Sequence, residues 1–175
     1  MGLERGLVQV YTGEGKGKTT AALGLALRAT GHGLRVEIVQ FMKGWPGYGE
    51  LKGAEWLPMV AIHPFGRSGW VHPEHPQPED YEGAAEALAY ALEVVTREEA
   101  DVVVLDEINV ALDYGLLDLE AVIALLDGKP PAVELILTGR NAHPEVIRRA
   151  DLVTEMRKVR HPYDQGLEGR QGIEF

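Results

Sequence analysis

One stretch limits what this chain can fold into more than any other: Thr12-Gly13-Glu14-Gly15-Lys16-Gly17-Lys18-Thr19-Thr20. An apolar run over residues 7–11 precedes it, and a helical pattern over residues 21–30 follows it. Strand, glycine loop and helix in that order is the arrangement that holds a phosphate chain. The glycines let the backbone curl so that successive N–H groups point inward, and the helix adds its positive end. Lys18 is then placed to reach the terminal phosphates, and the Thr19 hydroxyl to ligate Mg²⁺. In the usual G-x-x-x-x-G-K-[ST] spacing the first glycine falls at residue 12; a threonine stands there, and Gly13 comes one place late. Gly15, Gly17, Lys18 and Thr19 fit. The plainer reading, a Gly/Lys-rich surface turn, does not account for the strand and helix that flank it.

Composition narrows the partners. Acidic residues outnumber basic ones by 27 to 17, a net charge of −10, which argues against a nucleic-acid binder, whose footprint is basic. One anionic ligand remains compatible, because a phosphate loop supplies its own local field. With 175 residues, 45% of them hydrophobic, the chain suits a single domain (1–175) with a real core. There is no cysteine, so disulfides, thiolate metal sites and a cysteine nucleophile are excluded. Met1-Gly2-Leu3-Glu4-Arg5 lacks the apolar core of a signal peptide, and no run approaches transmembrane length. A cytoplasmic protein without a membrane partner is the expectation.

The first helix is expected from about residue 18 to 31, stopped by Gly31-His32-Gly33, with Ala21, Ala22, Gly24, Ala26 and Ala29 allowing close packing on a sheet. Arg28 lies on it, about three turns above Lys18. A Val/Ile-rich strand over 34–41 runs into Met42-Lys43-Gly44-Trp45-Pro46-Gly47. Ligands gather at that end of a parallel strand, so Lys43 and Trp45 are candidates beside their plain readings as a solvated lysine and a packing indole. A short helix over 48–57 and a strand over 59–65 lead to an irregular, proline-laden loop over 66–78, of the length that serves as a binding loop or lid. Its prolines keep His72 and His75 off a shared helical face, and no third metal ligand is near.

Residues 79–99 read as an amphipathic helix with Tyr81, Ala84, Ala85, Leu88, Leu92 and Val95 at helical spacing. Residues 101–107 are a continuous apolar run bounded by acids, which reads as a buried parallel strand. Asp106 at its end is placed to hold Mg²⁺ directly or through water, and Glu107 to ligate the metal or act as a base. Asp118 is expected to cap a helix over 119–127 with Leu119, Val122, Ile123 and Leu126 inward. A strand over 133–137 ends in Thr138-Gly139-Arg140, where the arginine reaches phosphate or solvent. A helix over 144–149 and a strand over 152–156 follow, and the polar residues 157–175 are expected to pack through their aromatic and histidine side chains. This alternation gives an α/β fold: a mostly parallel sheet with helices on both faces.

Several separated stretches together resemble one family. They are residues 12–22, Val39-Gln40-Phe41-Met42-Lys43-Gly44, Val104-Leu105-Asp106-Glu107-Ile108-Asn109, Leu137-Thr138-Gly139-Arg140, residues 150–156, His161-Pro162-Tyr163-Asp164-Gln165-Gly166 and Gly172-Ile173-Glu174. The set, which spans nearly the whole chain in order, resembles the ATP:corrinoid adenosyltransferases of the cobalamin pathway, in the branch with a phosphate loop. The resemblance implies a RecA-like phosphate-loop fold, a homodimer, and binding of ATP with Mg²⁺ (or Mn²⁺) and of a corrinoid reduced to Co(I). It also implies that cobalt attacks the ribose C5′ carbon, that inorganic triphosphate leaves, and that the nucleotide lies reversed relative to a hydrolase. A reduced flavoprotein or another electron donor is an implied partner. By carry-over, Gly13, Glu14, Gly15, Lys16, Gly17, Lys18, Thr19 and Thr20 match the phosphate loop. Thr19 and Glu107 match metal-associated positions with Asp106 as helper, Arg28 matches a nucleotide-contacting arginine, and Trp70 aligns with an aromatic residue that displaces the lower axial ligand of cobalt.

Two departures stand out. The family often has Phe two residues before that tryptophan; here it is Ser68, leaving Phe65 as a candidate substitute. Few residues precede the first strand, where some relatives carry a segment that covers the site. The chemistry suits the residues. A Co(I) nucleophile has no proton to lose, so no protein base is needed. Lys18 as the catalytic cation, with Lys16, the helix N-terminus and Mg²⁺, stabilises the departing triphosphate. Two other readings stay open: a phosphate-loop ATPase or kinase using Glu107 to activate its nucleophile, and a nucleotide-dependent switch without turnover.

Overall fold

The computed structural model describes residues 2–175; Met1, the first of the five residues read as lacking a signal-peptide core, lies outside the described residues. Strands β1 (Val8–Thr12), β2 (Val36–Gln40), β3 (Val60–Pro64), β4 (Val102–Asp106), β5 (Glu134–Thr138) and β6 (Leu152–Glu155) form one sheet. All five pairings are parallel, in the order β3-β2-β4-β5-β1-β6. The order, which the sequence did not disclose, inserts β5 between the strand that feeds the glycine loop and the strand that ends in Asp106.

Helices cover both faces, as expected. On one, α1 (Lys18–Thr30) lays Ala22, Ala26 and Ala29 on Val36, Ile38, Val102, Val104 and Ile136. On the other, α3 (Pro78–Thr96) and α5 (Leu119–Asp127) cover Val39, Phe41, Val103, Leu105, Leu135 and Leu137. The central strands are buried on both sides, which is why their sequences are apolar runs and not alternations. Short helices α2 (Gly49–Ala54), α4 (Ile108–Asp113) and α6 (Pro144–Arg149) complete the set. Asp118 caps α5 by accepting from the Glu120 N–H. No helix among the described residues is long and apolar enough to cross a membrane.

Two local expectations are corrected, and one helix is added. The buried face of α3 is turned from the one read: Tyr81, Ala85 and Leu92 are exposed, while Gly83, Ala87, Ala91 and Val94 join Ala84, Leu88 and Val95 inside. Small residues hold that face because the helix comes so close; a Cβ on Gly83 would lie 2.7 Å from the Gly66 Cα. Helix α4, unassigned from sequence, is six residues long, too short for a periodic pattern to register. In residues 157–175 packing is confined to a few side chains. Tyr163 stands 73% exposed, while Phe175 folds back against Trp45.

Candidate active site

The C-terminal ends of the strands open onto a cavity of about 600 Å³. Residues 14–20 of the glycine loop line it, with Lys43, Tyr48, Glu50, Trp70, Glu107, Arg140, His161 and residues 172–175. Thr12 is still part of β1, paired with Glu155, and its Oγ1 accepts from the Ala142 N–H at 3.2 Å. The chain therefore turns at Gly13, which takes φ +94°, and again at Gly17, at φ +119°. Both angles lie where glycine alone is unstrained. A Cβ on Gly13 would stand 2.6 Å from the Met156 carbonyl oxygen. The late first glycine is thus the consequence of a strand that runs one residue further. Gly17 caps α1 without a side-chain acceptor, which leaves the helix N–H groups for a ligand at the cavity.

Lys18 curls under the loop and donates to the carbonyls of Gly13 and Gly15, each at 2.8 Å. Burial pulls its ammonium below the usual lysine range, against the opposing field of Glu107. Lys16 points elsewhere, to the Ile173 carbonyl at 3.0 Å and Glu174 Oε1 at 2.7 Å. Glu14 faces Arg140 at 3.8 Å.

At the inner end lies Asp106, wholly buried. Its Oδ1 accepts from Thr19 Oγ1 at 2.8 Å and Thr138 Oγ1 at 2.7 Å; its Oδ2 accepts from Lys43 Nζ at 2.7 Å and Gln40 Nε2 at 3.3 Å. The strand order explains the set, since Thr138 ends β5, beside β4. Burial alone would raise the Asp106 carboxyl; the Lys43 ammonium and the donated hydrogen bonds outweigh it and hold it below the usual range. Glu107 follows in the left-handed region, φ +67°, a conformation that costs a non-glycine residue about 1 kcal/mol or more and that clusters at functional sites. Its N–H donates to Thr138 Oγ1 at 3.0 Å, and its carboxyl, pushed up by burial and by neighbouring Asp106, lines the cavity. Among the described residues no three His, Cys, Asp or Glu gather as a metal cage. The donor set still fits Mg²⁺, which keeps waters and phosphate oxygens and takes only one or two protein oxygens.

A second hollow of about 170 Å³, lined among others by Met42, Val71, Val110 and Tyr114, shares Lys43, Tyr48, Trp70, Glu107 and Arg140 with the first. Trp70 is 85% exposed between them. Phe65 does not take the place of the missing phenylalanine; its ring packs on Tyr90, 5.6 Å away. Arg28 is not brought to the cavity. It is exposed in the last turn of α1, about 15 Å from Lys18 at 1.5 Å per residue. Of the two loop candidates, Lys43 is in the site, and Trp45 packs on Tyr48 and Phe175 with centroids 5.2 and 5.6 Å apart. Sequence reasoning missed Tyr48, Glu50 and Tyr114 as lining residues. It also quoted Gly172-Ile173-Glu174 only as part of a resemblance, without a place in the site.

Residues 4–175 match the family described as ATP:corrinoid adenosyltransferase BtuR/CobO/CobP. Proteins named corrinoid adenosyltransferase are similar along nearly the full length. That of Pseudomonas aeruginosa is 38% identical over 98% of this chain and 85% of its own. That of Escherichia coli K12 is 37% identical over 98% and 87%. Among solved structures, a KaiC-like protein of Pyrococcus horikoshii superposes with a TM-score of 0.56 at 17% identity, over 89% of this chain and 74% of its own. That likeness concerns the fold, a RecA-like phosphate-loop architecture.

Proposed function

Because the chain belongs to the ATP:corrinoid adenosyltransferase family, a family of transferases in adenosylcobalamin synthesis, we propose how its own residues carry the reaction. One domain over residues 1–175 holds both substrates. The glycine loop and the α1 N-terminus take the triphosphate of ATP, and the corrinoid lies over the adjoining hollow beside Trp70, which receives only part of it. The observation that carries this reading is the five residues that the two hollows share, because group transfer requires two substrates in contact and hydrolysis does not.

The Co(I) electron pair forms a bond to C5′ of the ribose as the bond from C5′ to the triphosphate oxygen breaks, and the charge leaves on triphosphate. Lys18 and the loop N–H groups face that developing charge. Mg²⁺, when bound, adds positive charge against the same oxygens. Glu107 and the Thr19 hydroxyl are the groups that would hold it. Asp106, with four donors on its two oxygens, has no free acceptor site and acts by orienting Thr19 and Lys43. Family membership also supports a homodimer, a cytoplasmic location and an external electron donor such as a reduced flavoprotein; sedimentation velocity tests the dimer.

The decisive experiment mixes the protein with ATP, Mg²⁺ and chemically reduced cobalamin. The expected result is a light-sensitive cobalt–carbon product with one triphosphate per turnover. ADP and orthophosphate as the only products would overturn the reading.

A further inference from the structure

Lys16 belongs to the phosphate loop, yet its ammonium leaves it. Both of its partners, the Ile173 carbonyl and the Glu174 carboxylate, lie in the segment Gly172–Phe175. Glu174 is itself built to receive it. Its carboxylate accepts from the Arg170 N–H at 2.7 Å and from the Arg170 guanidinium at 3.2 and 3.1 Å. These donors, with Lys16, hold its carboxyl down to about 2. The Gly172 N–H closes the turn on the Phe175 carbonyl at 2.7 Å. At the other end the Phe175 ring meets Trp45, which meets Tyr48. The segment is therefore anchored twice, once to the glycine loop and once to the loop after β2. Between the anchors it shares the cavity with Lys18, Thr19 and Trp70. A triphosphate seated on the α1 N-terminus leaves Tyr48, Ile173 and Phe175 as apolar surface for the rest of the nucleotide.

We propose that Gly172–Phe175 is the wall against which the nucleoside of ATP is positioned, and that Lys16 is the latch of that wall, a positioning residue and not a phosphate ligand. This rests on the reading that the glycine loop takes the triphosphate. The sequence assigns Lys16 to the leaving group because it lies in the motif; its bonds assign it to the wall. The Lys16 side chain is 43% exposed and that of Glu174 24%, so the latch is a modest device, on the order of fivefold in affinity.

Calorimetric titration of MgATP and, separately, of inorganic triphosphate tests this on Lys16→Met, Glu174→Gln, the double variant, Lys16→Arg and Lys18→Ala. Expected are a loss of about fivefold for MgATP in each latch variant, no further loss in the double variant, and recovery in Lys16→Arg. Triphosphate, which has no nucleoside, binds the latch variants as it binds the wild type. In turnover the loss falls on KM for ATP and not on kcat. Weaker triphosphate binding in Lys16→Met makes Lys16 a phosphate ligand and overturns the proposal. Tighter triphosphate binding in Glu174→Gln makes Glu174 a competitor and also overturns it, as do unchanged MgATP affinities. Lys18→Ala separates the two levels: normal triphosphate binding there removes the glycine-loop reading, whereas loss there with unaltered latch variants removes the wall alone.

Discussion

Thr19, in the first turn of α1, donates to Asp106 at the tip of β4 across 2.8 Å, although 87 residues separate them. The bond fixes the glycine loop against the acid strand. It also divides the work of two adjacent carboxylates. Asp106 is enclosed and fully bonded, while Glu107, turned by its left-handed backbone, lines the cavity.

Lys43→Met should destabilise the protein strongly. It strips the counter-charge from a buried carboxylate, which costs about 3–5 kcal/mol when one partner of a buried pair is removed. Thermal unfolding should drop by on the order of 10 °C for a domain of this size. The pH sign is definite. The wild-type Asp106 carboxyl is held low, so its contribution is complete above the ordinary aspartate pKa and is lost as pH falls through the depressed value. In the variant the Thr19 and Thr138 hydrogen bonds are left to oppose burial, so the carboxyl is held less low and acid costs the variant less than it costs the wild type. The gap between the two melting curves should therefore narrow on acidification; a constant gap would remove the Lys43–Asp106 pair as its source.

Lys18→Ala should lower adenosyl transfer at least ~100-fold, the scale of losing one group aimed at developing charge. The assay is formation of the photolabile product from preformed cob(I)alamin at saturating MgATP. Near-normal turnover refutes the role.

Glu107→Gln should raise the Mg²⁺ concentration for half-maximal activity by about tenfold or more. Burial and Asp106 push the Glu107 carboxyl above the ordinary glutamate value, and only the ionised form ligates Mg²⁺. At limiting Mg²⁺, activity in the wild type should climb with pH through a limb above that ordinary value, and added Mg²⁺ should move the limb to lower pH. Persistence of the same limb in Glu107→Gln would assign it to another group.

What was legible followed from local rules. The strand–loop–helix at the start, the apolar run ending in Asp106 and the helix opened by Pro144 each write their structure in consecutive residues. The strand order did not, because which strands become neighbours depends on packing between distant segments; Thr138 therefore gave no sign that it would bond Asp106. The face of α3 was misread because alanines and a glycine carry little hydrophobic contrast, so Tyr81 and Leu92 dominated the pattern while Gly83 and Ala87 did the packing. The Lys16–Glu174 contact joins residues 158 apart, and a motif-based reading gave Lys16 to phosphate.

Trp70→Ala isolates the corrinoid side of the site. The indole is 85% exposed, so its loss should change folding stability by no more than about 0.5 kcal/mol. Its backbone is nevertheless fixed: Arg67 Nη2 donates to the Trp70 carbonyl at 2.8 Å, and Arg67 Nε donates to buried Asp80 at 2.7 Å. A free ring on a held loop is suited to press on a ligand, and Phe65, turned to Tyr90, does not duplicate it. If the ring displaces a lower axial ligand of cobalt, it matters most for making Co(II) reducible and least once Co(I) is supplied. The variant should therefore lose more activity with cob(II)alamin and a reductant than with preformed cob(I)alamin, and Trp70→Phe should recover part of the difference. Equal losses in the two assays would leave Trp70 as a binding surface without influence on the metal.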